Sequence, residues 1–369
     1  MGQQSYGPPA SASIENAPFA APENAPVAAS ENAPVAARVR DHGGGLARAE
    51  ARFGHPAEGW VDLSTGINPW PIRVPAPSPD AWTRLPDRDA LDRLLAAAGR
   101  YFGANPAAIV AAPGSQALIQ AVPRLVPRGR AAILGFTYAE HARCWSLAGH
   151  EVAISETLDE ASDAACVIVT NPNNPDGRQV DPDRLLALAG RQAARGGLLL
   201  VDEAFADMAP AISVASAAGR PGLCVLRSFG KFFGLAGLRL GFALGPSGLV
   251  LALEDHLGPW AVGGPALEVG AAAMADRDWI EETRGSLASA ARDLDGLLRA
   301  HGLEVVGGTD LYRLTRTAHA AALFEHLGRS GILVRPFEAR PDWLRFGLPP
   351  DAAAAARLRD ALGSFIFPA

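Results

Sequence analysis

The segment Leu226-Arg-Ser-Phe-Gly-Lys-Phe-Phe-Gly-Leu-Ala-Gly-Leu-Arg-Leu-Gly241 decides how the rest of the chain is read. It leaves one apolar run and enters another. It carries Ser228, Lys231 and Arg239, three and eight residues apart, with Gly230, Gly234 and Gly237 between them. Lys231 is the only lysine among 33 basic residues; the others are arginine. A guanidinium stays protonated, so it neither acts as a base nor condenses with an aldehyde. A lysine amine with a lowered pKa does both. A hydroxyl, an amine and a guanidinium on one glycine-rich turn suit an anionic ligand that carries an aldehyde. Standing alone, the same turn would be an ordinary basic loop, so its surroundings decide.

Upstream, short apolar runs alternate with helical patterns. Strands are expected at Ile109–Ala112, Ala131–Leu134, Val152–Ile154, Cys166–Thr170, Leu198–Val201, Leu223–Leu226 and Leu240–Leu244. Helices are expected at Gln116–Leu125, Glu140–Ala148 and Pro182–Arg195. This rhythm predicts an α/β large domain, residues 76–264, with a mostly parallel sheet covered by helices. Ligands bind beyond the carboxyl ends of such strands. After Pro265 a long helical stretch runs to about Ala300. Strands follow at Leu303–Val306, Leu311–Leu314, Ile332–Val334 and Trp343–Phe346, with helices at His319–Arg329 and Ala352–Leu362. Residues 265–369, together with 39–75, are expected to form a smaller α+β domain. Residues 1–38 repeat Glu-Asn-Ala-Pro from Glu15, Glu23 and Glu31 and read as an Ala/Pro-rich arm without a core.

The strand ends carry the chemistry. Val201-Asp-Glu-Ala-Phe205 places Asp202 after an apolar run, where a carboxylate can keep a ring nitrogen protonated and make the ring an electron sink. An acid there is also a common helix cap. Asn171-Pro-Asn-Asn-Pro-Asp-Gly177 is a rigid turn expected to fix the Asn171 side chain. Ala112-Pro-Gly-Ser-Gln116 opens a helix, whose first N–H groups suit a phosphate. Gly135-Phe-Thr-Tyr138 offers Tyr138 either as a ring stacked on a flat ligand or as a half-buried core residue.

In this order and spacing the segments resemble the pyridoxal-phosphate-dependent enzymes of the class I/II aminotransferase family, the aspartate aminotransferase-like fold type I. The resemblance spans about Asp41 to Phe346. It implies pyridoxal 5'-phosphate as cofactor. Lys231 would bond the cofactor aldehyde and later move protons. Asp202 would pair with the pyridine nitrogen, Asn171 with the ring hydroxyl, and Tyr138 would stack on the ring. Gly114, Ser115, Gln116, Ser228 and Arg239 would hold the phosphate.

Within that family, His42-Gly43-Gly44, Val61-Asp-Leu-Ser-Thr-Gly-Ile-Asn-Pro69 and Gly258-Pro-Trp-Ala-Val262 are most similar to the branch that decarboxylates L-threonine O-3-phosphate for cobalamin synthesis. The histidinol-phosphate aminotransferases are the alternative. Both act on small phosphorylated amino compounds. The resemblance implies substrate contacts at His42, Gly43, Asn68, Arg335 and Arg345. Two positions depart from the family pattern. Phe205 stands where many members have tyrosine, and Leu85-Pro-Asp87 replaces a Tyr-Pro-Asp whose tyrosine reaches the neighbouring subunit's cofactor phosphate. A homodimer is expected from the resemblance.

Composition bounds the other classes. Hydrophobic residues make up 49% of the chain and charged residues 20%, as in a globular protein. The formal charge of −6 gives no reason to expect nucleic acid or an anionic membrane. No apolar run is long enough to span a bilayer. The chain does not open on a secretory signal pattern. Cys144, Cys166 and Cys224 are few and scattered, suggest no metal site, and fit a reducing cytoplasm.

Overall fold

The computed structural model describes residues 43–366. The arm expected over residues 1–38 and the expected contact His42 lie outside the described residues, as do residues 367–369.

After β1 (Val61–Asp62), seven strands build the main sheet: β2 (Ile109–Ala112), β3 (Arg130–Leu134), β4 (Glu151–Ser155), β5 (Cys166–Thr170), β6 (Leu198–Asp202), β7 (Leu223–Ser228) and β8 (Gly241–Leu244). Their order is β2-β8-β7-β6-β5-β3-β4. All pairings are parallel except those of β8, which runs antiparallel to both β2 and β7. The sheet is therefore mostly parallel, with one reversed strand where the Ser228–Gly241 segment returns without a crossover helix.

β5 and β6 are buried along their whole length, which explains why they read as continuous apolar runs. Their side chains alternate between two cores. Val167, Val169, Leu199, Val201 and Val225 join the larger one, whereas Ile168, Leu198, Leu200, Cys224 and Leu226 join the other. That alternation puts Asp202 and Ser228 on the face of the second core. Glu203 and Arg227 fall on the opposite face. There Arg227 bonds Glu203 at 2.7 Å and Asp207 at 2.5 Å, and Tyr101 donates to Asp207 at 2.8 Å.

Helix boundaries follow local chemistry. Arg88–Phe102 starts where Asp87 accepts from the Ala90 N–H and stops at Gly103, whose φ of 68° is left-handed. Pro182–Ala194 begins with proline after the capping Asp181. The single helix expected up to Ala300 is two, Gly264–Ala275 and Arg277–Ala300. Asp276 ends the first and caps the second through the Trp279 N–H.

The second half carries β9 (Glu304–Thr309), β10 (Tyr312–Arg316), β11 (Ile332–Leu333), β12 (Arg335–Pro336) and β13 (Trp343–Gly347). A four-stranded antiparallel sheet has the order β12-β13-β10-β9. The strand expected over Ile332–Val334 is β11, which pairs with β1, and a second short strand that was not expected, β12, follows after Val334 and pairs with β13. Val61 thus lies beside Ile332 in a separate two-stranded sheet, tying the segment that starts at Gly43 to the second half of the chain.

The smaller sheet docks on the turn 171–177 of the main half. Tyr312 Oη donates to Asn173 O at 2.9 Å, and the Gly308 N–H donates to Asp176 O at 2.9 Å. At Gly177, with φ of 71°, a Cβ would lie 1.8 Å from Gly308 O. Two backbones cross here closer than any side chain permits. Contacts of this kind make the residues from Gly43 onward one compact unit.

Candidate active site

Sheet register gathers the strand-end motifs. Ala112 of β2 and Ser228 of β7 both pair with Gly241 of β8, and Thr170 of β5 pairs with Asp202 of β6. The Gly114–Gln116 turn, Ser228, Asp202 and the 171–177 turn therefore meet at one edge of the sheet, as the topology rule for such sheets demands.

Gly114 has φ of 87°, and a Cβ there would sit 2.6 Å from Arg239 Nη2, so only glycine lets this guanidinium lie over the turn. The helix Ser115–Leu125 starts there with no side-chain cap. Ser228, in the N-cap position of the one-turn helix Phe229–Phe232, likewise makes no capping bond. Helix N–H groups, a hydroxyl and Arg239 make a cradle for an anion.

Lys231 follows on that one-turn helix, half-buried. Its Nζ lies 5.7 Å from the centre of the Phe205 ring. Burial, then the charge of Arg345, lower its amine from the ordinary 10.5 to about 8; Asp202 opposes this and Arg239 adds to it. Such an amine is still mostly protonated at neutral pH, but its neutral, nucleophilic fraction far exceeds that of an ordinary lysine.

Asp202 is 3% exposed, and its Oδ2 accepts from His141 Nε2 at 2.8 Å. Its Oδ1 accepts from the Ala204 N–H at 3.1 Å. His141 is fully enclosed, and its Nδ1 has no hydrogen-bond partner. Tyr138 donates to Gln116 Oε1 at 3.1 Å, and Gln116 Nε2 donates to Glu140 Oε2 at 3.3 Å. Burial and then the charges of Glu140 and Asp202 push the Tyr138 hydroxyl up to about 12, so it stays a neutral donor.

Two expected site residues are not available to a ligand. Asn171 is completely buried. Its Nδ2 donates to Val180 O at 3.2 Å and Ile212 O at 3.3 Å, and its Oδ1 accepts from the Val180 N–H at 2.9 Å. The side chain is spent closing the 171–180 loop. Asn174, three residues on, points the other way: its Oδ1 accepts from Arg345 Nη1 at 2.6 Å. The motif contains two Asn-Pro pairs, and the second faces the site.

Asn68 is also structural. Its Nδ2 donates to Phe232 O at 2.8 Å and its Oδ1 accepts from the Trp70 N–H at 2.9 Å, while its own N–H donates to Lys231 O at 2.9 Å. It holds the lysine turn in place. Gly43 packs so closely that a Cβ would lie 2.3 Å from Ser64 O, and the Gly44 N–H donates to Ser64 Oγ at 2.7 Å.

Arg335 and Arg345 stand directly opposite each other across β12 and β13. Arg345 is 7% exposed, with Nη2 donating to Ser64 O at 2.9 Å and Cζ 4.8 Å from the Tyr312 ring centre. Among the described residues it forms no carboxylate ion pair, and its Nε has no partner. Burial lowers its pKa to about 10, with Tyr312 opposing and Arg335 adding to the effect. Two guanidiniums side by side, Arg345 buried and Arg335 half-buried, suit an anion between them.

Sequence reasoning missed Asn174 and His141. The repeated Asn-Pro held the first signal. The second was a histidine three residues after Tyr138, in the first turn of the helix Glu140–Leu147 that follows it.

The ensemble fits an aldehyde-bearing, phosphorylated aromatic cofactor: an anion cradle, an amine of lowered pKa, a buried carboxylate at a strand end, and a tyrosine beside it. Among the described residues no cluster of metal ligands exists. The chain belongs to the aminotransferase class I and II family, whose profile matches residues 72–362. It is similar at 49% identity over 332 residues, 89% of this chain and 99% of the relative, to the threonine-phosphate decarboxylase of Pseudomonas aeruginosa. It is 49% identical over 324 residues, 87% of this chain and 97% of the relative, to the threonine-phosphate decarboxylase of a Sinorhizobium species. Among solved structures, histidinol-phosphate aminotransferase from Sinorhizobium meliloti in complex with pyridoxal-5'-phosphate superposes with a TM-score of 0.74 at 21% identity. That match covers 91% of this chain and 99% of the other, and establishes the shared fold.

Proposed function

We propose that this chain binds pyridoxal 5'-phosphate and decarboxylates L-threonine O-3-phosphate to (R)-1-aminopropan-2-yl phosphate, a step in cobalamin synthesis. The observation that carries the reading is the in-register pair Arg335 and Arg345, beside a lysine of lowered pKa. A small amine that carries a phosphate answers that pair, since two guanidiniums can share one phosphate. The names of the two relatives at 49% identity support the same substrate.

Lys231 would hold the cofactor aldehyde, Asp202 the pyridine nitrogen, Asn174 the ring oxygen, and Gly114–Gln116, Ser228 and Arg239 its phosphate. Bound in this way, the cofactor accepts the electron pair released when a bond at the substrate Cα breaks. His141, bonded to Asp202, keeps that carboxylate aimed. Arg335 and Arg345 would hold the substrate phosphate, which would leave the substrate carboxylate without a cation of its own and free to depart as CO₂. Departure of CO₂ then leaves Cα to receive a proton, and Lys231 is the acid beside it. Phe205 offers the ring oxygen no hydroxyl, so Asn174 is its side-chain partner.

The working form is a cytoplasmic homodimer. Trp82, Leu85 and Trp260 are 69%, 68% and 59% exposed, and a Cβ on Gly264 would touch Ala81 O at 2.3 Å, so these residues flank one contact. A second copy would cover them.

The test is CO₂ release from L-threonine O-3-phosphate by the cofactor-loaded protein with no keto acid present. Absence of CO₂, with glutamate forming from 2-oxoglutarate and histidinol phosphate, would mean an aminotransferase instead.

A further inference from the structure

The face of the β12–β13 hairpin that carries Arg335 and Arg345 continues into two aromatic residues. Arg335 pairs with Arg345 and Pro336 with Leu344, so Phe337 and Trp343 come next along the same face. Leu344 and Phe346, one step out of phase, belong to the core. The Phe337 and Trp343 rings lie 6.4 Å apart at 85°. Phe136, from the loop after β3, closes the group, 6.0 Å from Phe337 and 5.6 Å from Trp343, edge-on to both. Edge-to-face contacts at these spacings are attractive.

Each ring is also tied to the site. The guanidinium carbon of Arg335 lies 5.7 Å from the Phe337 ring centre. Phe136 stands two residues before Tyr138, and its carbonyl accepts from Asn173 Nδ2 at 2.9 Å. At the hairpin tip, Arg340 lies 5.6 Å from Phe136 and 5.4 Å from Trp343. The three rings thus span the two halves of the molecule, from the segment of Tyr138 to the strand of Arg335.

We propose that Phe136, Phe337 and Trp343 form a latch that closes the outer wall of the substrate pocket, and that Phe337 is a positioning residue for Arg335. The inference rests on the decarboxylase reading, because it assigns Arg335 to the substrate phosphate. A ring face fixes the plane in which a guanidinium lies, and two parallel N–H bonds in that plane match a phosphate. The latch therefore sets the preference for a phosphorylated amino acid over its unphosphorylated parent. It does so without touching the bond that breaks.

The experiment compares the cofactor-loaded wild type with Phe337→Leu, Phe337→Tyr and Phe136→Leu. Binding of L-threonine O-3-phosphate is read from the cofactor absorbance, and turnover from CO₂ release. Phe337→Leu keeps apolar bulk and loses the ring face. It raises Kd and KM about tenfold, with kcat within about twofold and the cofactor spectrum unchanged. Phe337→Tyr restores wild-type values, and Phe136→Leu shifts KM in the same direction. Should Phe337→Leu fail to fold, Phe136→Leu decides on the same criterion. Wild-type Kd and KM in the Leu variants would overturn the latch, as would a fall in kcat matching the rise in KM. A wild type that binds the substrate yet releases no CO₂ would sink the reaction assignment, while the ratio of Kd values would still judge the latch.

Discussion

Lys231→Met gives the sharpest test of the electrostatics of the site, and it needs no substrate. In the cofactor-free protein the amine has a pKa of about 8 against an ordinary 10.5. Between those values the unfolded chain binds a proton that the folded chain has released. Stability therefore rises with pH across this window, starting near 8 and levelling off above 10.5. At about 1.36 kcal/mol per pH unit the gap amounts to about 3 kcal/mol, or about 2 once the partial exposure of the side chain is discounted.

Other buried groups act with the opposite sign in the same range. Burial raises Cys166 from 9.0 to about 11 and Cys224 to about 12, so their contribution is lost as pH climbs. The raw stability curve mixes these effects, and the difference between wild type and Lys231→Met removes the shared ones. Methionine keeps the apolar stem and loses the charge. Urea denaturation of both proteins at pH 7, 8, 9, 10 and 11 gives the difference directly. The wild type should gain about 2–3 kcal/mol on the variant across the window. A difference constant to within about 0.5 kcal/mol would refute the assigned burial and the influence of Arg345.

Other expectations follow from the same geometry. Lys231→Arg keeps the charge but removes the only side-chain amine, so the visible cofactor band and borohydride-fixed label should both vanish and CO₂ release with them. Asn171→Ala should cost about 2–3 kcal/mol in urea melts, because the Val180 and Ile212 backbone groups lose their partner. Asn174→Ala should leave the melts within about 1 kcal/mol but shift the cofactor absorbance and raise KM about tenfold. The reverse pattern would restore Asn171 to the site. Gly177→Ala puts a methyl 1.8 Å from Gly308 O at a left-handed φ and should lower stability by about 2–4 kcal/mol, measured by the same denaturation.

How far the fold was legible depended on what each element buries. β5 and β6 are enclosed on both faces, so hydrophobicity alone located them and Asp202 at the end of one. The reversed direction of β8 was not legible. Direction is fixed by how the chain returns from Ser228 to Gly241, and no side-chain periodicity records that. The run at Ile332–Val334 gave no sign that a second strand, β12, follows it into another sheet, since each strand is only two residues long and β12 consists of an arginine and a proline. Lys231 stood out as the one lysine in an arginine-rich chain, whereas Tyr138 and Arg345 were singled out through the family resemblance, because a tyrosine after a strand and one arginine among many have other reasons to stand where they do. Asn171 misled because a doubled Asn-Pro turn offers two amides of identical chemistry. Only the placement of Val180 distinguishes the amide that closes the loop from the one that faces Arg345. Asn68 misled for a related reason: an amide beside a site is as useful for bracing the lysine turn as for meeting a ligand.

The backbone crossing of Gly177 and Gly308 has a consequence for observing the molecule at work. The Gly308 amide is held by Asp176 O, a partner in the other half, so it exchanges with solvent when that contact opens. Its hydrogen-exchange rate is thus a gauge, built into the main chain, of how often the contact between the smaller sheet and the 171–177 turn opens. Because Asn174 sits two residues before Asp176, the gauge is read next to the residue that meets Arg345. Slowing of that one amide on ligand binding would count openings one site at a time, without a label.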